Sequence, residues 1–138
     1  MSWYLWALLG AFFAALTAIL AKLGVSDVDP DVATFVRTVV VLLALGGLLL
    51  AFNKLGALGA LSGRNITFLS LSGLATGASW LCYFRALKLG DASQVAPLDK
   101  LSVALVAVFA FILLGERISM EHWIGISLMV AGAILVAR

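Results

Sequence analysis

Residues 3–23 read WYLWALLGAFFAALTAILAKL, a run whose first charge, Lys22, comes only at its far end. A helix of that length rises about 30 Å at about 1.5 Å per residue, which matches the hydrocarbon thickness of a bilayer. Four further apolar stretches follow, at residues 30–52, 66–89, 94–114 and 121–137, joined by connections too short to hold a soluble domain. The expected fold is therefore all-α integral membrane, with five transmembrane helices in a single membrane domain over residues 1–138. Membrane strands would alternate in polarity over about 10 residues, whereas apolar windows of about 18 residues favour helices.

Composition points the same way. Apolar residues make up 64% of the chain and charged residues 12%, against roughly 45–50% and about 25% in soluble domains; the mean hydropathy is +1.16. The net charge of +2 does not indicate nucleic acid, because the nine basic residues are scattered singly and never form a run. The lipid bilayer is the expected environment. Cys82 has no second cysteine to pair with, and His122 has no second histidine to share a metal. No metal or cofactor is expected. The first segment lacks a basic leader and runs without a cleavage-like site into Ala21, Lys22 and Leu23, so it is expected to stay in the mature protein.

Within the spans, Gly10, Ala14 and Ala18 recur every four residues, and Gly73 with Gly77 forms a GxxxG pair; both allow another helix close approach. Asp29, Pro30 and Asp31 read as a helix start: a capping carboxylate, a proline at the first helical position and an acid at the positive end of the dipole. The longest connection, 53–65, carries Gly56, Gly59 and Gly63 and reads as a loop with room for a short interfacial turn. Gly90 and Asp91 end the third segment. The fourth is expected to start near Ser93 or Gln94, to hold Pro97 in its first turn and to stop before Gly115.

An odd number of spans puts the two ends on opposite sides of the membrane. The N-terminal side then carries Lys54, Arg64 and Arg117, and the other carries Lys22, Arg85, Lys88 and Arg138, with Arg37 and Lys100 deeper on that second side. The positive-inside rule favours N-out and C-in, yet three against four is near balance and leaves dual insertion open. Trp3, Tyr4, Trp6 and Trp123 gather at the N-terminal boundary, where amphipathic rings prefer the headgroups.

A charge at mid-span costs roughly 2.5–3.5 kcal/mol on insertion scales, so Arg37 and Asp99 stand out. They lie at comparable depth from the same side, within reach of a direct or water-mediated pair. Asp99 is the one carboxylate well inside a span and the candidate for proton or cation coupling; the alternative is a permanently ionised partner for Arg37, Arg85 or Lys100. On an ideal helix Lys100 points about 100° away from Asp99, to snorkel or to bind an anion. Arg85 and Lys88 share a face near the end of the third segment, where snorkelling competes with anion binding. Thr76, Trp80 and Tyr83 put hydroxyl and aromatic groups on neighbouring turns, to line a cavity or to pack, with Thr17 a weaker candidate for the same cavity. Nucleotide-loop, zinc-histidine and nucleophile-elbow patterns are all missing, so no enzyme is indicated.

Ala96, Pro97 and Leu98, then Leu114, Gly115, Glu116 and Arg117 at the turn, then Gly125 and Gly132, resemble the ending of an EamA domain of the drug/metabolite transporter superfamily; Arg85, Ala86 and Leu87 before Gly90 resemble that family's third-segment ending. Many members carry two such five-helix units in inverted orientation. The resemblance therefore implies one half of an inverted-repeat transporter: an antiparallel homodimer, or a heterodimer with a similar half, around a midplane cavity for a small-molecule substrate. It makes Gly125 and Gly132 candidates for the dimer contact and Gly115, Glu116 and Arg117 an interfacial turn. The small multidrug exporters of the superfamily depend on a glutamate in their first helix; here the first span holds no acid, which argues against simple proton-coupled export of cationic drugs. The expected function is secondary-active transport of a small metabolite or drug-like solute by alternating access, located in the prokaryotic cell (inner) membrane. The alternative is a non-transporting subunit that assembles with or stabilises another membrane protein; a lipid-modifying enzyme or flippase comes third.

Overall fold

The computed structural model describes residues 2–137; Arg138, counted above among the basic residues, lies outside the described residues. The sequence folds into helices joined by tight turns. Helix α1 (Trp3–Val25) ends where the Ser26 hydroxyl donates to the Leu23 carbonyl at 3.0 Å. Helix α2 (Pro30–Ala51) starts as the Asp-Pro-Asp pattern requires: the Asp29 carboxylate accepts from the amides of Asp31 and Val32 at 2.9 and 3.2 Å, satisfying two of the donors a helix start leaves free. The glycine-rich connection winds into a 3-10 helix, Leu55–Ala60. Helix α3 (Gly63–Leu89) begins three residues earlier than expected, because the Ser62 hydroxyl accepts from the Asn65 amide at 3.2 Å and caps it.

The stretch expected as one continuous helix over 94–114 is broken. It forms α4 (Ala92–Asp99), a turn at Lys100 and Leu101, α5 (Ser102–Phe109) and a π-helical end, Ala110–Leu114. Pro97 sits inside α4 rather than in its first turn, since the helix starts at Ala92. Proline supplies no amide to the ladder, and just beyond it the winding tightens: the Lys100 amide donates to the Pro97 carbonyl at 3.1 Å and the Leu101 amide to Leu98 at 3.0 Å, both three residues back.

Gly115 stops the π turn at φ +67°, with its own amide and that of Glu116 both donating to the Ala110 carbonyl. A Cβ there would meet nothing within 4 Å, so the constraint is the left-handed backbone alone. Gly115→Ala is expected to cost about 1–2 kcal/mol in thermal or denaturant unfolding. Gly125→Ala, at an equally open position within a helix, is expected to cost nothing or to stabilise slightly.

Helix α6 (Met120–Val136) is capped by Ser119, whose hydroxyl accepts from the His122 amide at 3.4 Å. It has 17 residues, about 25 Å at about 1.5 Å per residue. Among the described residues, then, four helical stretches have the length and composition to cross a membrane, namely α1, α2, α3 and Ala92–Leu114 taken together, and the expected fifth span is a shorter apolar helix.

Contacts divide the chain into two units, one from Ala21 to Lys88 and the other made of the chain up to Leu20 and from Leu89 onward. In the first, Val25 and Leu87 are fully buried, with Phe84 and Thr34 nearly so. In the second, α4 and α5 pack on α6, and the buried residues of these helices are the small Ala107, Ala110 and Ala133. Across the four long stretches no more than 11% of the most apolar 18-residue window is buried, so most of their large side chains face outward, to lipid or to another chain.

Candidate functional site

The end of α3 is anchored by its basic residues. Arg85 reaches the Asp31 carboxylate through two hydrogen bonds, Nε at 3.1 Å and Nη2 at 2.8 Å. Lys88 donates to the Val28 carbonyl at 2.8 Å, and Lys22 donates to the Leu87 carbonyl at 2.7 Å. A fork-to-fork arginine–carboxylate pair fixes geometry as well as charge, and the two lysines take up carbonyls near the ends of their helices. Arg85 is thus tied to the first turn of α2 and Lys88 to the α1–α2 connection. Asp31, read as a dipole acid, is also the partner of Arg85; a residue 54 positions away gives no local signal.

Above this anchor, Arg37 lies in the eighth position of α2, about 10 Å from its start. Its guanidinium carbon sits 4.3 Å from the centre of the Trp80 ring and 5.5 Å from that of Phe84. Trp80 and Phe84 are four residues apart and share one face of α3, so they form a two-ring wall; a guanidinium over such faces is held by their quadrupoles. Arg37, Trp80 and Tyr83 are all half-buried. The structure brings Arg37 to Trp80, two candidates chosen separately in the sequence, and adds Phe84, which the sequence reading missed. Thr76 is exposed, and its hydroxyl donates to the Ser72 carbonyl at 2.9 Å, which leaves its lone pairs as acceptors.

In the other unit, Asp99 is the last residue of α4, at the break. Its carboxylate accepts from Lys100 Nζ at 3.1 Å. The expectation that Lys100 points away holds for an ideal helix and fails here because the helix stops at Asp99. An open cavity of about 390 Å³ is lined by Val103 of α5 and by Glu121, His122, Gly125, Ile126 and Met129 of α6. His122 Nδ1 lies 2.6 Å from the Ser119 hydroxyl. Gly125 therefore lines this cavity. A Cβ built at Gly73, Gly77, Gly125 or Gly132 meets nothing within 4 Å, so these glycines are open to approach from another helix. Glu116 and Arg117 follow Gly115 at the exposed turn.

Compared with known proteins, the EamA-like transporter family matches residues 1–138. A Sinorhizobium sp protein named an uncharacterized transporter in the cobO 3' region is 53% identical over 136 residues, 99% of this chain and 96% of that one. The Bacillus subtilis (strain 168) protein named uncharacterized transporter YxxF is 30% identical over 133 residues, 95% of this chain but 41% of its own length. A Hamiltonella defensa protein, named a probable 4-amino-4-deoxy-L-arabinose-phosphoundecaprenol flippase subunit ArnE, is 24% identical over 75 residues, 54% of this chain and 68% of that one. No solved structure matches significantly.

Proposed function

Since the chain belongs to the EamA-like transporter family along its whole length, we propose that it is one half of a secondary-active transporter for a small metabolite or drug-like solute. The observation that carries the reading is the match of nearly the whole chain to less than half of a longer protein named as a transporter: one unit here corresponds in size to part of a larger carrier there. The missing half would be a second, oppositely inserted copy or a similar chain in the prokaryotic inner membrane, with the solute cavity between the two halves. The outward apolar faces and the open glycines Gly73, Gly77, Gly125 and Gly132 supply surface for that assembly.

In this reading Asp99 is the coupling residue. It stands at a break in a membrane helix, where carriers place ion sites, and its neighbour Lys100 neutralises it at rest. Purified protein in proteoliposomes, screened for uptake of amino acids, sugars, nucleotides and drug-like cations under an imposed pH or sodium gradient, tests the function. Asp99→Asn is expected to abolish gradient-driven accumulation while leaving solute exchange at equal gradients. Accumulation at the parental rate in that variant removes Asp99 from coupling, and a screen with no uptake of any class sinks the transport reading.

A second reading, a non-transporting subunit that assembles with or stabilises another membrane protein, draws on the relative named as a flippase subunit. It predicts co-purification with one membrane partner and no uptake by the isolated chain.

A further inference from the structure

Lys54 and Arg64 also lie over rings, those of Phe52 and Phe68, but both are exposed; Arg37 differs from them in being half-buried within α2, and from Arg85 and Lys88 in its partners. Arg85 is matched by a carboxylate and Lys88 by a carbonyl, whereas Arg37 is held by the faces of two rings and pairs with no carboxylate among the described residues. Ring faces attract the guanidinium charge. They do nothing for the N–H groups, which point outward along its edge and match two oxygens of one carboxylate or phosphate. Arg37 is half-buried and about two turns inside α2. An intramembrane cation without a carboxylate is costly and marks function. Stacking on Trp80 and Phe84 keeps the fork in one orientation, so little freedom is lost when an anion arrives.

We infer that Arg37, stacked on Trp80 and Phe84, is the recognition site for an oxyanion, a carboxylate or phosphate group carried on a small body with an apolar face. Arg37 takes two oxygens along its edge, and the exposed part of the Trp80 ring receives the apolar body, with Tyr83 one turn along the same helix. The anion restores the neutrality that an unmatched arginine lacks inside a membrane. The inference deepens the transport reading, since the bound anion would be the cargo, but binding itself does not depend on transport. An anionic lipid headgroup has the same chemistry as a soluble organic anion, and the experiment separates the two.

Benzoate is titrated into the protein in phosphatidylcholine nanodiscs and in nanodiscs containing phosphatidylglycerol, with benzylammonium as the cationic control, followed by calorimetry and tryptophan fluorescence. Benzoate is expected to bind in phosphatidylcholine and benzylammonium not. Arg37→Gln is expected to abolish benzoate binding, and Arg37→Lys, which keeps the charge but not the fork, to weaken it about tenfold. Trp80→Phe is expected to remove the fluorescence change. If phosphatidylglycerol suppresses benzoate binding in an Arg37-dependent way, the same oxyanion site takes lipid headgroups. Should Arg37→Gln fail to fold, Arg37→Lys decides. Unchanged affinity in Arg37→Lys, tighter binding of benzylammonium, or no response to either benzoate or phosphatidylglycerol overturns the inference. Uptake of cations or neutral solutes with no anion binding would overturn it while leaving the transport reading intact; anion binding with no uptake would do the reverse.

Discussion

Two single-orientation variants of this chain, each inactive alone, are expected to restore transport when produced together. The loop charges stand three against four on the stricter count, a balance that positive-inside bias resolves poorly. If the working unit is two oppositely inserted copies, a population forced into one orientation has no partner. The structure decides which charges can be moved. Lys22, Arg85 and Lys88 anchor the end of α3, so changing them would confuse topology with folding. Asn53 holds φ +52° and is better left alone. Lys54, in the exposed connection after α2, and Arg64, in the exposed first turn of α3, touch only the nearby rings of Phe52 and Phe68: Lys54→Ala with Arg64→Ala leaves Arg117 alone on the N-terminal side and fixes N-out. Ala57→Lys and Ala60→Lys with Arg138→Ala tips the count to five against three the other way and fixes N-in. C-terminal reporters confirm each orientation before uptake is measured. Full uptake by either variant alone would rule out the antiparallel homodimer and leave a similar partner chain, or a single copy, as the unit.

What was readable in the sequence was what is local. The Asp29 cap, the end of α3 before Gly90 and the stop at Gly115 follow from residue types within a turn of one another, and the structure has all three. The break after Asp99 was not readable, because the stretch stays apolar on both sides and a proline near a helix start is ordinary. Arg37 and Trp80 stood out singly by chemistry, but nothing local says that residues 43 positions apart will stack. The cavity beside His122 was hidden for another reason. Glu121, His122, Gly125, Ile126 and Met129 fall at helical spacing on one side of α6, yet a polar pair before an apolar run reads as a cap and a glycine in a membrane helix reads as packing.

Leu87→Ala is expected to destabilise the protein by about 2–3 kcal/mol, at the low end of the range for buried leucines. Leu87 has no exposed surface, and its carbonyl receives Lys22. In a soluble core, truncation loses both transfer from water and packing; in a bilayer the unfolded reference is already apolar, so the cavity and the lost contacts account for most of the cost. Leu74, on the same helix but 73% exposed, supplies the comparison, and Leu74→Ala is expected to change stability by less than about 0.5 kcal/mol. Denaturant titration in mixed micelles, read by far-ultraviolet circular dichroism, measures both. Equal losses would show that the end of α3 is no more tightly packed than its exposed middle. The functional consequence follows from the helix itself. Phe84, buried to 3% exposure, lies three residues before Leu87 and forms part of the wall behind Arg37. A cavity at Leu87 lets Phe84 relax and loosens the Arg37–Trp80 stack, so Leu87→Ala is expected to weaken benzoate binding without touching any group that contacts the anion.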